Sequence, residues 1–327
     1  LILFLTYSFT QPDTLWTKTF GGISYDAANS VQQTLDGGFI VVGQSWDMES
    51  DKWNLLILKI SIWGDEIWSQ SYEGDVSYFG ESIIQTNDGG FIIAGFIQDN
   101  EINIRNIFLL KTDMNGVEEW FYTYNGLGNC EGYSVDQTDD GGYIVVGNSW
   151  SEESNRNTFL LKTNSIGDFE WNRVFGDADV SLGYAIQETS DEGFIITGYL
   201  RALGSDDFNL FLIKADSEGN EEWYQEYGGD GFDRGYDVQI CSDGGFVIGG
   251  ATNSFGIGNW DYYLIKTDSL GIEEWSSTFG GQNSDFGFSV HETYDGGFVL
   301  GGTTDSFGNG NGDNWIIKTD TNGVEEW

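Results

Sequence analysis

The sequence predicts an all-β fold, a β-propeller of four-stranded antiparallel blades with six repeats present. Three observations carry that expectation: a period of about 52 residues, four short strand-like segments in each period, and a composition rich in glycine and aromatics but nearly free of proline. The period is read from Trp16, Trp68, Trp120, Trp171, Trp223, Trp275 and Trp327, spaced 52, 52, 51, 52, 52 and 52 residues apart. A second column, Asp36, Asp88, Asp140, Asp191, Asp243 and Asp295, opens Asp-Gly-Gly-Phe/Tyr each time except in Asp191-Glu192-Gly193-Phe194. Lys59, Lys111, Lys162, Lys214, Lys266 and Lys318 form a third.

Within one period the strand-like segments are residues 274–279, 288–293, 297–301 and 315–319, each short, β-branched or aromatic, and bounded by Gly, Asp or Asn. Asp-Gly-Gly supplies the positive-φ residues of a tight turn between the first and second blade strands, and Asn322-Gly323 or its equivalents do so between the third and fourth. Strands that alternate in direction place both turns on one rim. The opposite rim receives the stretch after Phe-Gly-Gly, such as residues 282–286, and the long second-to-third loops, such as residues 45–53. Those loops differ from repeat to repeat, and binding residues sit preferentially on loops held by a rigid scaffold, so ligand is expected on that variable rim.

Residues 1–10 begin with the apolar run Leu1 to Phe9, too short to span a bilayer, and are read as the remnant of a signal peptide cleaved before Gln11. The propeller then covers 11–327, its repeats starting near Trp16, Trp68, Trp120, Trp171, Trp223 and Trp275. Residues 14–20 read as a full outer strand, while 323–327 begin the same strand again. Two segments for one position suggest an incomplete seven- or eight-bladed ring, or a further C-terminal domain, and a monomeric propeller within a larger chain.

With Asp+Glu 53 against Lys+Arg 13, the net charge of -40 repels phosphate backbones and anionic lipid, so nucleic acid and membrane insertion are not expected. Solubility accounts for the acidity, and calcium is the one cofactor it invites. Asp261, Asp305, Asn309, Asn311 and Asp313 lie in Gly-rich, oxygen-rich loops suited to that ion, though without EF-hand spacing.

Lys266-Thr267-Asp268-Ser269-Leu270-Gly271-Ile272-Glu273-Glu274-Trp275 recurs near the end of each unit and resembles the tryptophan-docking motif of the quinoprotein-dehydrogenase-like propellers. That resemblance implies a Trp packed between neighbouring blades. The Asp-Gly-Gly-Phe/Tyr, Lys-Thr-Asp and Glu-Glu-Trp pattern taken whole is similar to the repeats of large secreted bacterial and archaeal proteins, and carries no known active site.

Catalytic signatures are not readable. The Glu-Glu pairs before Trp120, Trp223, Trp275 and Trp327 recur by phase, which suits packing or solvation better than a single site. His291 stands alone as a candidate base, Cys130 and Cys241 fall at unrelated offsets, and Arg105, Arg156, Arg173, Arg201 and Arg234 suggest no common focus. The expected function is therefore non-enzymatic: a secreted or cell-surface binding, adhesion or scaffold module for a protein or glycan. Trp46, Trp150 and Trp260, in variable-rim loops, are its candidate ligand contacts. The alternative is an extracellular, glucanase-like polysaccharide hydrolase.

Overall fold

The computed structural model describes residues 15–125, 128–151, 154–176, 179–310 and 312–327, so the signal-peptide expectation lies outside the described residues. Among them every regular element is a β-strand. The chain divides into two compact units, Lys18–Gly235 and Tyr236–Trp327, the latter grouped with the residues up to Thr17.

The larger unit holds four antiparallel sheets, each ordered as the chain runs. They are β1 (Asp26–Gln33), β2 (Phe39–Asp47), β3 (Lys52–Ile60) and β4 (Glu66–Tyr72); β5 (Ser77–Gln85), β6 (Phe91–Asp99), β7 (Ile104–Thr112) and β8 (Glu118–Tyr124); β9 (Asn129–Gln137), β10 (Tyr143–Ser151), β11 (Ser154–Thr163) and β12 (Phe169–Phe175); β13 (Val180–Glu188), β14 (Phe194–Arg201), β15 (Asn209–Ala215) and β16 (Glu221–Tyr227). The smaller unit holds β17 (Asp233–Ile240), which starts in the last residues of the larger unit, β18 (Phe246–Thr252), β19 (Asp261–Thr267) and β20 (Glu273–Phe279). Its second sheet has three strands, β21 (Asp285–Glu292), β22 (Phe298–Thr304) and β23 (Asp313–Thr319).

Trp68, Trp120, Trp171, Trp223 and Trp275 sit on fourth strands, beside the Lys of the third: Lys59 faces Trp68, and Lys111 faces Trp120. The outer strand expected at 14–20 differs. Thr14 lies outside the described residues, and 15–20 form no strand. Residues 323–327 instead run along β23, where Lys318 N–H donates to the Trp327 carbonyl at 2.9 Å and Glu326 N–H to the Lys318 carbonyl at 2.7 Å.

Second and third strands are apolar on both faces because sheets stack against each other. Ile92 and Ala94 of β6, for example, share one core with Tyr143 and Val145 of β10 and Phe159 of β11. The fourth-strand Trp reaches the next sheet: Trp68 lies 6.0 Å from Phe91, Trp120 5.9 Å from Tyr143, Trp171 6.1 Å from Phe194 and, in the smaller unit, Trp275 5.7 Å from Phe298. In the larger unit the first strands pack on one another in succession, β1 on β5, β5 on β9 and β9 on β13.

The Asp-Gly-Gly edge is one device repeated. Asp88 accepts from the Thr86 hydroxyl at 2.6 Å and the Gly90 N–H at 2.9 Å, and it pairs with Lys111 at 2.9 Å. A Cβ on Gly90 would collide with the Thr112 carbonyl oxygen and lie 2.6 Å from the Lys111 Nζ, which is why the second glycine recurs. Lys111 also pairs with Glu119 at 3.1 Å, and the second Glu of the Glu-Glu pairs engages Lys214, Lys266 and Lys318 in the same way. These lysines are buried, with side chains 3% to 9% exposed. Hydrogen bonds and the lysine hold Asp36, Asp88 and Asp295 down at about 2.

First strands share a second device. Pairing with the second strand slips at Ala28/Ser30, Gly80/Ser82, Val146/Gly147 and Gly183/Ala185, so Asn29, Glu81, Tyr133 and Tyr184 are bulged out of the ladder.

Candidate functional site

The bulges and the edge opposite Asp-Gly-Gly bring chemistry together in the larger unit. Trp46, at the end of β2, packs edge-on against Trp53 of β3 at 5.1 Å, and Trp53 lies 6.2 Å from Phe79. Phe79 stacks on Phe96 at 4.7 Å. Arg105, at the start of β7, lies over Phe96 at 5.5 Å and Trp150 at 5.9 Å, and Arg156 of β11 lies over Trp150 at 4.0 Å. A contiguous arc of rings and guanidinium groups thus crosses three successive sheets.

Glu131 of β9 anchors its centre. Its carboxylate is 2% exposed, pairs with Arg105 and, at 3.3 Å, with Arg156, and accepts from the Tyr133 hydroxyl at 2.8 Å. Tyr133 continues the arc to Tyr184 at 5.0 Å, which stacks on Tyr199 at 5.6 Å. Arg234 lies over Tyr199 at 5.0 Å and Arg201 over Phe208 at 5.4 Å, with Arg201 paired to Asp179. Burial, with the Glu131 carboxylate nearby, pushes bulged Glu81 up to about 7. Asn29 Nδ2 donates to Glu81 at 3.2 Å.

Against the expectation that the arginines lack a common focus, four of the five lie along this arc, while Arg173 lies over Trp171 at 5.2 Å. Arg105 and Arg156 share Glu131 and Trp150, and Arg201 and Arg234 flank the tyrosine end of the same arc. The signal was a repeat column rather than a residue type. Trp53, Arg105, Arg156, Phe208 and Trp260 occupy equivalent positions immediately before Asn54, Asn106, Asn157, Asn209 and Asp261. Trp46, Trp150 and Arg201 occupy another column, and Phe79, Glu131 and Arg234 a third.

Of the three expected contact residues, Trp46 and Trp150 lie in this arc. Both are half-buried against neighbours rather than standing free. Trp260 belongs to the smaller unit, half-buried 5.3 Å from Phe286. Two of the calcium candidates are engaged within their own loops. Asp261 is buried and accepts the Ile257 N–H at 2.7 Å, and Asp305 accepts the Gly312 N–H at 2.7 Å. Asp313 begins β23 with one carboxylate oxygen buried and without a hydrogen-bond partner among the described residues, Asn309 is exposed, and Asn311 lies outside the described residues. Among the described residues no three His, Cys, Asp or Glu side chains converge as a metal centre would need.

His291 meets Gln239 at 2.8 Å through Nδ1. Cys130 and Cys241 are buried free thiols, pushed by burial up to about 11 and about 12.

No family model matches the chain, and no curated protein matches it significantly. Solved structures do resemble it. Sqt1 from Chaetomium thermophilum superposes with a TM-score of 0.52 at 12% identity, over 92% of this chain and 70% of that one. The β-propeller domain of the Trilobed protease from Pyrococcus furiosus gives 0.52 at 11%, over 91% and 82%. YCF48 bound to D1 peptide gives 0.52 at 9%, over 94% and 83%. Likeness at this identity identifies the fold alone, and the fold is a β-propeller whose blades are the six antiparallel sheets.

Proposed function

We propose that this chain is a non-enzymatic binding module, secreted or carried on a cell surface, that docks a partner through the variable edge of its larger unit. The arc from Trp46 to Arg156 carries this reading. Aromatic rings and arginines are the side chains that dominate binding energy at interfaces, and here they are preassembled on a scaffold of stacked sheets. The apolar residues 1–5 support export. The solved propeller YCF48 is bound to D1 peptide, which supports a peptide-binding reading for a chain of this fold.

Polysaccharide hydrolysis is the second reading, favoured by one observation: Glu81, raised to about 7, lies near a second carboxylate, Glu131. Against it, Glu131 is buried beneath two guanidinium groups and has no open face for a sugar. The two readings separate when the full chain is applied to glycan and peptide arrays and every glycan hit is followed by a reducing-sugar assay. Binding without sugar release, weakened by Trp150→Ala, supports the module. Sugar release abolished by Glu81→Gln supports the hydrolase.

A further inference from the structure

We propose that the corner formed by Arg105, Arg156 and Trp150 receives a carboxylate presented by a peptide segment of low net charge. This rests on the binding-module reading and names its ligand class. The chain has eight lysines and five arginines. Six of the lysines are buried in the Asp-Gly-Gly devices, and Lys18 pairs with Asp65 at 3.3 Å. The eighth, Lys52, opens β3 beside Trp53, and Arg105 and Arg156 are the cations that adjoin the buried Glu131. The side chains of Arg105 and Arg156 are 31% and 35% exposed, and they share a single carboxylate that is itself 2% exposed. Among the described residues two guanidinium groups thus share one carboxylate, and the nearby Glu81, raised to about 7 by burial, carries only part of a charge at neutral pH. Arg156 touches Glu131 through one terminal nitrogen, and its remaining N–H groups meet no acceptor among the described residues. Trp150, 4.0 Å below, supports the guanidinium, and a planar fork of donors matches a carboxylate.

The rest of the molecule limits what that anion can be. A net charge of -40 repels a polyanion in proportion to the ligand's own charge, which disfavours polyuronates and nucleic acid. Screening over roughly 8 Å at physiological salt lets one carboxylate respond to the two guanidinium groups instead. Beside the corner, half-buried Phe79, backed by the buried Phe96, supplies an apolar surface for a neighbouring side chain. A peptide offering Asp or Glu next to an aromatic or aliphatic residue fits both parts.

The test is to pan a displayed library of random peptides against the full chain at physiological salt, then resynthesise the binders and measure affinity by fluorescence anisotropy. The proposal expects binders enriched in an acidic residue beside an apolar one. Changing that residue to its amide should weaken binding about tenfold or more, and Arg156→Gln should weaken the acidic peptide equally while no longer distinguishing acid from amide. Arg156→Lys should recover part of the loss, and an unchanged thermal midpoint in each variant excludes unfolding as the cause. Binders without acidic enrichment, or binders indifferent to Arg156→Gln but lost on Trp46→Ala, would overturn this proposal and leave the binding module standing. So would polygalacturonate binding more tightly than every peptide. A library that yields no binder would overturn the peptide-binding reading on which it rests.

Discussion

Glu192 occupies a turn position where every other repeat has glycine. Its φ is 66°, whereas Gly37, Gly89, Gly141, Gly244 and Gly296 sit between 79° and 86°. A side chain in that region costs about 1 kcal/mol, partly offset because glycine is freer in the unfolded chain. Glu192→Gly should therefore stabilise the protein by about 0.5 kcal/mol, and a lowered denaturant midpoint would contradict the turn assignment. A second residue makes a pH-dependent contribution. Asp237 accepts the Val290 N–H at 2.9 Å, and burial pushes it up to about 6 from 3.8. A carboxyl raised in the folded state supports stability fully below its unfolded value and loses that support as pH rises through the folded value. Between pH 4 and pH 7 the loss is about 2 kcal/mol, allowing for partial exposure. Asp237→Asn keeps an acceptor and removes the titration. Denaturant curves should show the variant gaining on the parent protein from pH 4 to pH 8, and a constant difference would refute the assignment.

At the scale of elements, the bulge and the glycine facing it act together. A Cβ on Gly147 of β10 would collide with the carbonyl oxygen of Glu131, as would one on Gly95 with Phe79 and one on Gly198 with Leu182. Gly147→Ala must push β9 and β10 apart at the residue that anchors Arg105 and Arg156. It should cost about 3 kcal/mol in equilibrium unfolding, and a cost within that of a surface change would show that the bulge is loosely held. The period, the strands, the turn edge and the Trp strand are legible in the sequence because they repeat the same residue types in the same phase. The arc is not, because its columns repeat a position and change the residue: Trp53, Arg105, Arg156 and Phe208 are equivalent in the fold and unlike in chemistry. Asp261 and Asp305 are ambiguous for a related reason, since a carboxylate that closes a Gly-rich loop has the same composition as one that ligates calcium.

For the whole molecule, charge is the governing quantity. A net charge of -40 opposes the compact state, and the buried lysines offset it only locally. The thermal midpoint should rise with sodium chloride from low to physiological ionic strength. If the effect is screening alone, calcium and magnesium at matched ionic strength should raise it equally, whereas a larger rise with calcium would support the metal site expected in the Asp261 or Asp305–Asp313 loops.

Function is assigned to the edge where repeats differ, and hydrogen–deuterium exchange of the full chain, alone and with a peptide obtained by panning, tests that placement most directly. Protection in residues 45–53, 96–106 and 148–157, with the Asp-Gly-Gly turns at 34–38, 86–90 and 138–142 unchanged, is the predicted result. Protection confined to those turns would contradict it.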